Sequence, residues 1–268
     1  MEKELTAWER LKIVHNPKRP NAYDLINGVF ENYYEFQGDG YFGEDKAITA
    51  GIASFQKLPV TVIANLKGKN LEENKLYNFS MAHPEGYRKA LRLAKQAEKF
   101  KRPIVCFVDI TGAFCGVDAE KRGQGQAIAK NIMEFMNLKT PIISIITGEG
   151  GSGGALGLGV CDELAMFENA VYSVISPRGA ASILWKDPKK EEEAANTMKI
   201  TAKDMLNFKV ADFIIKEPAK GADKDPILMC ENVVDYLIGA LKRNLQKNVA
   251  MLLESRYNKF RKIGIFGE

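Results

Sequence analysis

Eight residues, Gly148-Glu149-Gly150-Gly151-Ser152-Gly153-Gly154-Ala155, follow the apolar run Pro141-Ile142-Ile143-Ser144-Ile145-Ile146. Their types point to chemistry done by backbone. The apolar run predicts a buried strand, and the glycines predict a turn into a short helix over Ala155-Leu156-Gly157-Leu158-Gly159, whose small residues suit close packing. The first N–H groups of such a helix lack intrahelical partners and carry its partial positive charge. They can therefore bind a phosphate, or a carbonyl oxygen that becomes negative during reaction. Two familiar phosphate motifs do not fit: no Lys-Ser or Lys-Thr pair completes a P-loop, and the glycine order is not the dinucleotide fingerprint. An oxyanion site is the better functional reading, set against the simpler one that the glycines shape a packing corner.

Side-chain chemistry has fewer supports. The same letters satisfy Gly-x-Ser-x-Gly with Ser152 in the nucleophile place, but a serine hydrolase needs a base within hydrogen-bond reach. The chain has two histidines. His15 stands in the Pro-broken segment His15-Asn16-Pro17-Lys18-Arg19-Pro20, and His83 stands just before Pro84, where a structural role is the commoner one. Ser152 is more simply expected as a helix N-cap. A hydratase would need carboxylates aimed at water; Glu149 and Glu120 are available, and Glu149 fits equally well as a residue that fixes the turn.

Strands and helices must hold that turn in place. Two neighbouring strands joined by a short turn are expected at 46–53 and 59–64, an amphipathic helix at 84–100, and a buried strand at 103–109. A loop, Ile110-Thr111-Gly112-Ala113-Phe114-Cys115-Gly116, follows that strand, and a long helix is expected from Asp118 to Leu138. Further strands are expected at 164–167, 170–175 and 211–215, with a helix-rich region from Glu191 onward. The alternation predicts an α/β sheet with helices alongside and sites at strand ends. If the strands before the two glycine loops are adjacent, both loops face one crevice, and backbone donors from either could hold a reacting oxygen.

Composition sets the remaining bounds. The 268 residues are 46% hydrophobic and 27% charged, with a net charge of +4. There is no membrane-spanning apolar run or signal peptide, so a cytoplasmic location is expected. The mild, mixed charge does not point to nucleic acid. Cys106, Cys115, Cys161 and Cys230 show no Cys-x-x-Cys spacing, so neither a zinc ribbon nor a disulfide framework is expected, and no metal is assigned to the chain.

Longer stretches carry a resemblance. Met81-Ala82-His83-Pro84-Glu85-Gly86-Tyr87-Arg88-Lys89-Ala90-Leu91-Arg92, Glu120 to Ala129, Gly148 to Ala155, Tyr172 to Pro177 and Ala181 to Lys186 resemble the carboxyltransferase α subunit family of bacterial acetyl-CoA carboxylase. The resemblance covers most of the chain, including His15 to Pro20 and the Arg256-Tyr257-Lys259-Phe260-Arg261 region. It implies a crotonase-like ββα spiral in a single 1–268 domain: an N-terminal helical lead-in (1–40), a spiral core (41–190) and a helix-rich C-terminal region (191–268). It implies transfer of CO₂ from carboxybiotin on the biotin carboxyl carrier protein to acetyl-CoA, giving malonyl-CoA, with a zinc-containing β subunit completing an α2β2 assembly.

By the same resemblance, Gly153 and Gly154 supply N–H groups to the biotin ureido oxygen, and the released biotin anion can take the methyl proton. Gly150, Gly151, Gly112 and Ala113 line the site, Arg122 and Lys186 attract the biotin carbonyl or CoA phosphates, and Arg256, Lys259, Arg261 and Lys262 could meet CoA or an acidic partner. The chain departs from the family pattern at Thr111 and Cys115, which leaves the loop without two prolines, at Phe114, which lacks a tyrosine hydroxyl, at Arg178, at Gly40 and over Ala64-Asn65-Leu66-Lys67-Gly68. Those departures keep four alternatives open: a non-catalytic scaffold, another acyl-CoA, a matched β subunit of its own, or reduced activity.

Overall fold

A computed structural model of the protein describes residues 4–219 and 221–264. In chain order the elements are α1 (Ala7–Val14), α2 (Ala22–Val29), β1 (Glu31–Glu35), β2 (Ile48–Phe55), β3 (Leu58–Asn65), α3 (Leu71–Leu76) and α4 (Pro84–Lys99). There follow β4 (Ile104–Ile110), α5 (Val117–Lys121), α6 (Gln124–Asn137), β5 (Ile142–Gly151), α7 (Ser152–Gly159), β6 (Glu163–Phe167) and β7 (Val171–Ser173). The chain continues through α8 (Pro177–Leu184), α9 (Glu191–Thr197), α10 (Ala202–Asn207), β8 (Phe213–Ile215), α11 (Pro226–Leu245) and α12 (Val249–Arg261).

One sheet runs β1-β2-β3-β4-β5-β6-β8, with β7 paired to the end of β5. The first three strands are antiparallel and the rest parallel. The expected hairpin is present: Gln56 and Lys57 turn between β2 and β3 with φ of +47° and +69°, the left-handed pair that matches strand twist. Six of the seven β4 residues are buried, as expected of a central parallel strand covered on both faces. Tyr87 and Ala94 of α4, Phe135 of α6, and Val233 and Leu237 of α11 join Phe107 and Ile145 of the strands in one core.

The edges of the sheet are short. β8 has three residues, and β1 is interrupted by a register shift between Glu31 and Tyr34, where Asn32 has φ +54°.

Four details correct the sequence reading. The expected long helix is two, α5 and α6, because Gly123 takes a left-handed φ of +84° between them. β5 continues through Gly151, so the first glycines are strand and not turn. The strand expected at 170–175 stops at Ser173. Two of the basic C-terminal side chains are internal: Arg256 is fully buried, and Lys259 pairs with Asp212, while Arg261 and Lys262 stay exposed.

Candidate active site

The two glycine loops lie side by side. β4 and β5 are parallel neighbours, with Cys106 opposite Ser144 and Ile110 opposite Gly150. On its other flank the end of β5 pairs with β7, Gly150 opposite Tyr172. The glycines divide into two kinds. A Cβ on Gly151 would lie 2.1 Å from the Thr111 carbonyl oxygen, one on Gly154 2.7 Å from the Ala113 nitrogen, and one on Gly157 2.7 Å from the Tyr87 ring. These glycines let backbone and rings approach. Gly112 would meet nothing within 4 Å and Gly153 only an Ile128 methyl at 3.8 Å. Packing gives no reason for glycine at those two positions.

Gly153 opens on a cavity of about 720 Å³ lined mainly by apolar groups, among them Leu156, Tyr172, Ile183 and Met198. Gly150 and Gly151 line a smaller cavity of about 370 Å³ with His15, Thr111, Glu149 and Arg178. Helix α7 begins at Ser152 with no side-chain cap on its N-terminus. Its first-turn N–H groups therefore have no intrahelical acceptor. Ser152 is not the N-cap that was expected; Gly151 is, and Ser152 is the first helical residue with φ +51°.

Both histidines are engaged elsewhere. His15 Nε2 lies 3.1 Å from Glu149 Oε1. His83 Nδ1 hydrogen-bonds Asn78 at 2.9 Å, and its ring stacks on Phe114 with centroids 4.1 Å apart. Neither serves Ser152, so the hydrolase reading has no base. Glu149 also meets Lys67 Nζ at 3.2 Å. Burial works against its charge, but the His15 hydrogen bond and the Lys67 ammonium outweigh that and hold the carboxyl below its ordinary value. Its backbone N–H donates to Asp109 Oδ1 at 2.9 Å. Glu149 is thus built into the scaffold of the turn. Neither Lys67 nor Asp109 was singled out from the sequence, because each gains meaning only from strand neighbours.

Of the remaining candidates, Ala113 packs against Gly154. Arg122 holds Glu85 through two bonds, 2.8 and 3.3 Å, and lies over the Phe42 ring. Lys186 is exposed at the end of α8, outside both cavity linings. Glu120 is exposed on α5. The 110–116 loop is fixed without prolines: the Phe114 N–H donates to the Ala82 carbonyl at 3.1 Å, and Gln124 Nε2 donates to the Ala82 and Phe114 carbonyls at 2.8 and 3.1 Å. Gly40, φ +76°, sits in a loop wound around Asp39.

The paired glycine loops at the ends of parallel strands, feeding an uncapped short helix, belong to a crotonase-like fold, which solved structures share. The fold matches that of transcarboxylase 12S (TM-score 0.71, 17% identity, 92% of this chain and 46% of that one). It also matches the Pseudomonas malonate decarboxylase MdcD–MdcE heterodimer (TM-score 0.65, 16% identity, 80% of this chain and 88% of that one). The chain spans less than half the length of the transcarboxylase chain.

Sequence relatives narrow the class. The family described as acetyl co-enzyme A carboxylase carboxyltransferase-like matches residues 1–264. The acetyl-coenzyme A carboxylase carboxyl transferase subunits alpha of Clostridium perfringens (56% identity over 96% of this chain and 95% of the relative) and Clostridium acetobutylicum (52% over 99% and 97%) are similar along nearly their whole length. A Clostridium tetani relative, named for subunits beta/alpha, is 52% identical over 98% of this chain, which matches 46% of its length. The chain belongs to the family of acetyl-CoA carboxylase carboxyltransferase α subunits.

Proposed function

We propose that this chain forms the biotin side of an acetyl-CoA carboxylase carboxyltransferase, which moves the carboxyl group of carboxybiotin on a carrier protein to acetyl-CoA and yields malonyl-CoA. This is the first committed step of fatty acid synthesis. The observation that carries the reading is Gly153: at the start of an uncapped helix, it faces a cavity and needs no glycine for packing. Carboxybiotin supplies the activated carboxyl group. The N–H groups of Gly153 and Gly154 donate to the ureido oxygen, and the positive end of α7 favours it most when it is most negative. Leu156, Tyr172, Ile183 and Met198 line that cavity with apolar groups; covered by a partner subunit, they would keep water from that oxygen and so strengthen both bonds. Gly150, Gly151, Gly112 and Ala113 fix the floor on which the donors sit.

Acetyl-CoA is assigned to a zinc-containing β subunit in an α2β2 assembly. Two features support a partner over this crevice. The rim of the larger cavity leaves Val174 79%, Ile183 70% and Leu184 65% exposed, an apolar face of the kind that marks a docking site. The Clostridium tetani relative carries both subunit names in one chain. The described residues include no helix long and apolar enough to cross a membrane, and a cytoplasmic location is part of the proposal.

The test is malonyl-CoA formation, or its reverse, by this chain co-expressed with its β partner, beside a Gly153→Pro, Gly154→Pro variant. Activity that needs both chains and disappears in the variant is the expected result. An inactive but well-formed complex would overturn the assignment to acetyl-CoA.

A further inference from the structure

Four separate segments bring charge together beneath the glycine turn. Lys67 follows β3, Asp109 lies near the end of β4, Glu149 lies on β5 and His15 follows α1. The Lys67 ammonium is 3.2 Å from Glu149 Oε1 and 3.5 Å from Asp109 Oδ1, while His15 Nε2 is 3.1 Å from the same Glu149 oxygen. Asp109 is more than a counter-ion. Its Oδ1 accepts the Glu149 N–H, and its carboxylate fills the space that a Cβ on Gly148 would need, 2.5 Å away. The charged groups nearby are otherwise committed: Arg19 donates to the Thr147 carbonyl and pairs with Glu217, and Lys69 pairs with Asp24.

Two carboxylates on neighbouring strands therefore share one ammonium, with side-chain exposures of 19% for Asp109 and 16% for Glu149. Without that ammonium the two carboxylates repel, with His15 left beside Glu149 alone. Burial opposes the charge on Lys67, but Asp109 and Glu149 outweigh it and keep the amine protonated.

We propose that Lys67 is a positioning residue for carboxyl transfer: by clamping Asp109 to Glu149 it sets the ends of β4 and β5, and thereby aims the Gly153 and Gly154 N–H groups at one oxygen. The inference rests on those two glycines being the oxyanion donors. Lys67 itself lines neither the cavity at Gly153 nor the one at Gly150 and Gly151. Loss of the clamp is expected to act on the turnover step more than on substrate binding, because the apolar lining of the cavity at Gly153 contains none of the clamp residues.

The test uses the chain with its β partner. Lys67→Met is expected to lower kcat about 10- to 100-fold, the usual cost of misaligned donors, with KM little changed. Lowering the pH should recover part of the lost rate relative to wild type, since protonating one carboxylate relieves the repulsion. The double variant Lys67→Met, Glu149→Gln removes one of the two negative charges and is expected to be faster than Lys67→Met alone. Lys67→Arg keeps the charge and is expected to stay within a few-fold of wild type.

A wild-type kcat in Lys67→Met overturns the proposal, as does a double variant no faster than the single one. If Lys67→Met does not fold, the double variant and Lys67→Arg decide alone: activity in both supports the clamp, and its loss in both refutes it. The Gly153→Pro, Gly154→Pro variant reports separately on the oxyanion reading, because activity there would sink that reading whatever Lys67 does.

Discussion

Arg256 and Asp162 form an ion pair with both side chains at 0% exposure, the guanidinium donating to Asp162 Oδ1 at 2.9 Å and Oδ2 at 2.7 Å. The remaining donors of Arg256 reach the carbonyls of Phe135, Leu138 and Thr140. Asp162 also accepts the N–H of Ile142, the first residue of β5. One side chain of the last helix therefore closes the end of α6 and the start of the strand that carries the glycine turn. Removing one partner of such a pair leaves a buried charge and costs about 3–5 kcal/mol. Arg256→Met and Asp162→Asn are each expected to lower Tm by roughly 10 °C, measured by thermal melting. A melting temperature unchanged in both would show that the pair contributes nothing.

Gly153 and Gly154 should separate stability from activity. Alanine at Gly153 meets open space and gains about 0.5–1 kcal/mol of helix preference, yet its methyl stands where the substrate oxygen must approach. Gly153→Ala is expected to melt no lower than wild type while losing about 10²- to 10³-fold in rate. Gly154→Ala, with its Cβ driven to 2.7 Å from the Ala113 nitrogen, is expected to lose about 1–3 kcal/mol of stability as well. Melting curves and kcat on the same preparations check both.

Thiol reactivity should follow burial. Cys115 is exposed on the loop beside Gly112, whereas Cys106 and Cys161 are buried, and burial pushes both buried thiols upward. A maleimide is expected to modify Cys115 rapidly and to leave Cys106 and Cys161 untouched until the protein unfolds. Peptide mapping after brief labelling settles the order.

Asp39 organises the loop from Gly38 to Gly43. Burial opposes its charge, but three backbone N–H groups, from Tyr41, Phe42 and Gly43, together with the Arg88 guanidinium, pull its pKa down to about 2. A carboxyl whose folded value lies below its unfolded value of about 3.9 adds stability that is complete above pH 4 or so. That contribution is lost as the pH falls toward 2. The Asp39→Asn variant should show a flatter fall in stability between about pH 4 and pH 2 than wild type. Parallel slopes would exclude Asp39 as a source of that dependence.

Much of the frame was legible because it is written locally. The unbroken apolar run from Ile104 to Val108 and the amphipathic pattern after Pro84 each specify one element, and both formed within a residue or two of expectation. What escaped depends on distant partners. β1 reads as polar, Glu-Asn-Tyr-Tyr-Glu, and becomes a strand only because β2 offers it an edge. Gly123 broke a helix that periodicity alone would continue. The glycine turn was visible as a motif, but which of its glycines serve packing and which face space required Thr111, Ala113 and Tyr87 to be placed. Lys67 is 82 residues from Glu149 in sequence, and no spacing rule joins them.

The blunted edges of the sheet have a consequence for how this molecule meets others. A three-residue last strand and a first strand bent by a bulge offer little continuous backbone for another chain to extend. Growth sideways, strand upon strand, is discouraged, and the apolar rim over the strand ends is left as the inviting face. Under the proposed function, that rim is the face on which a second subunit would dock.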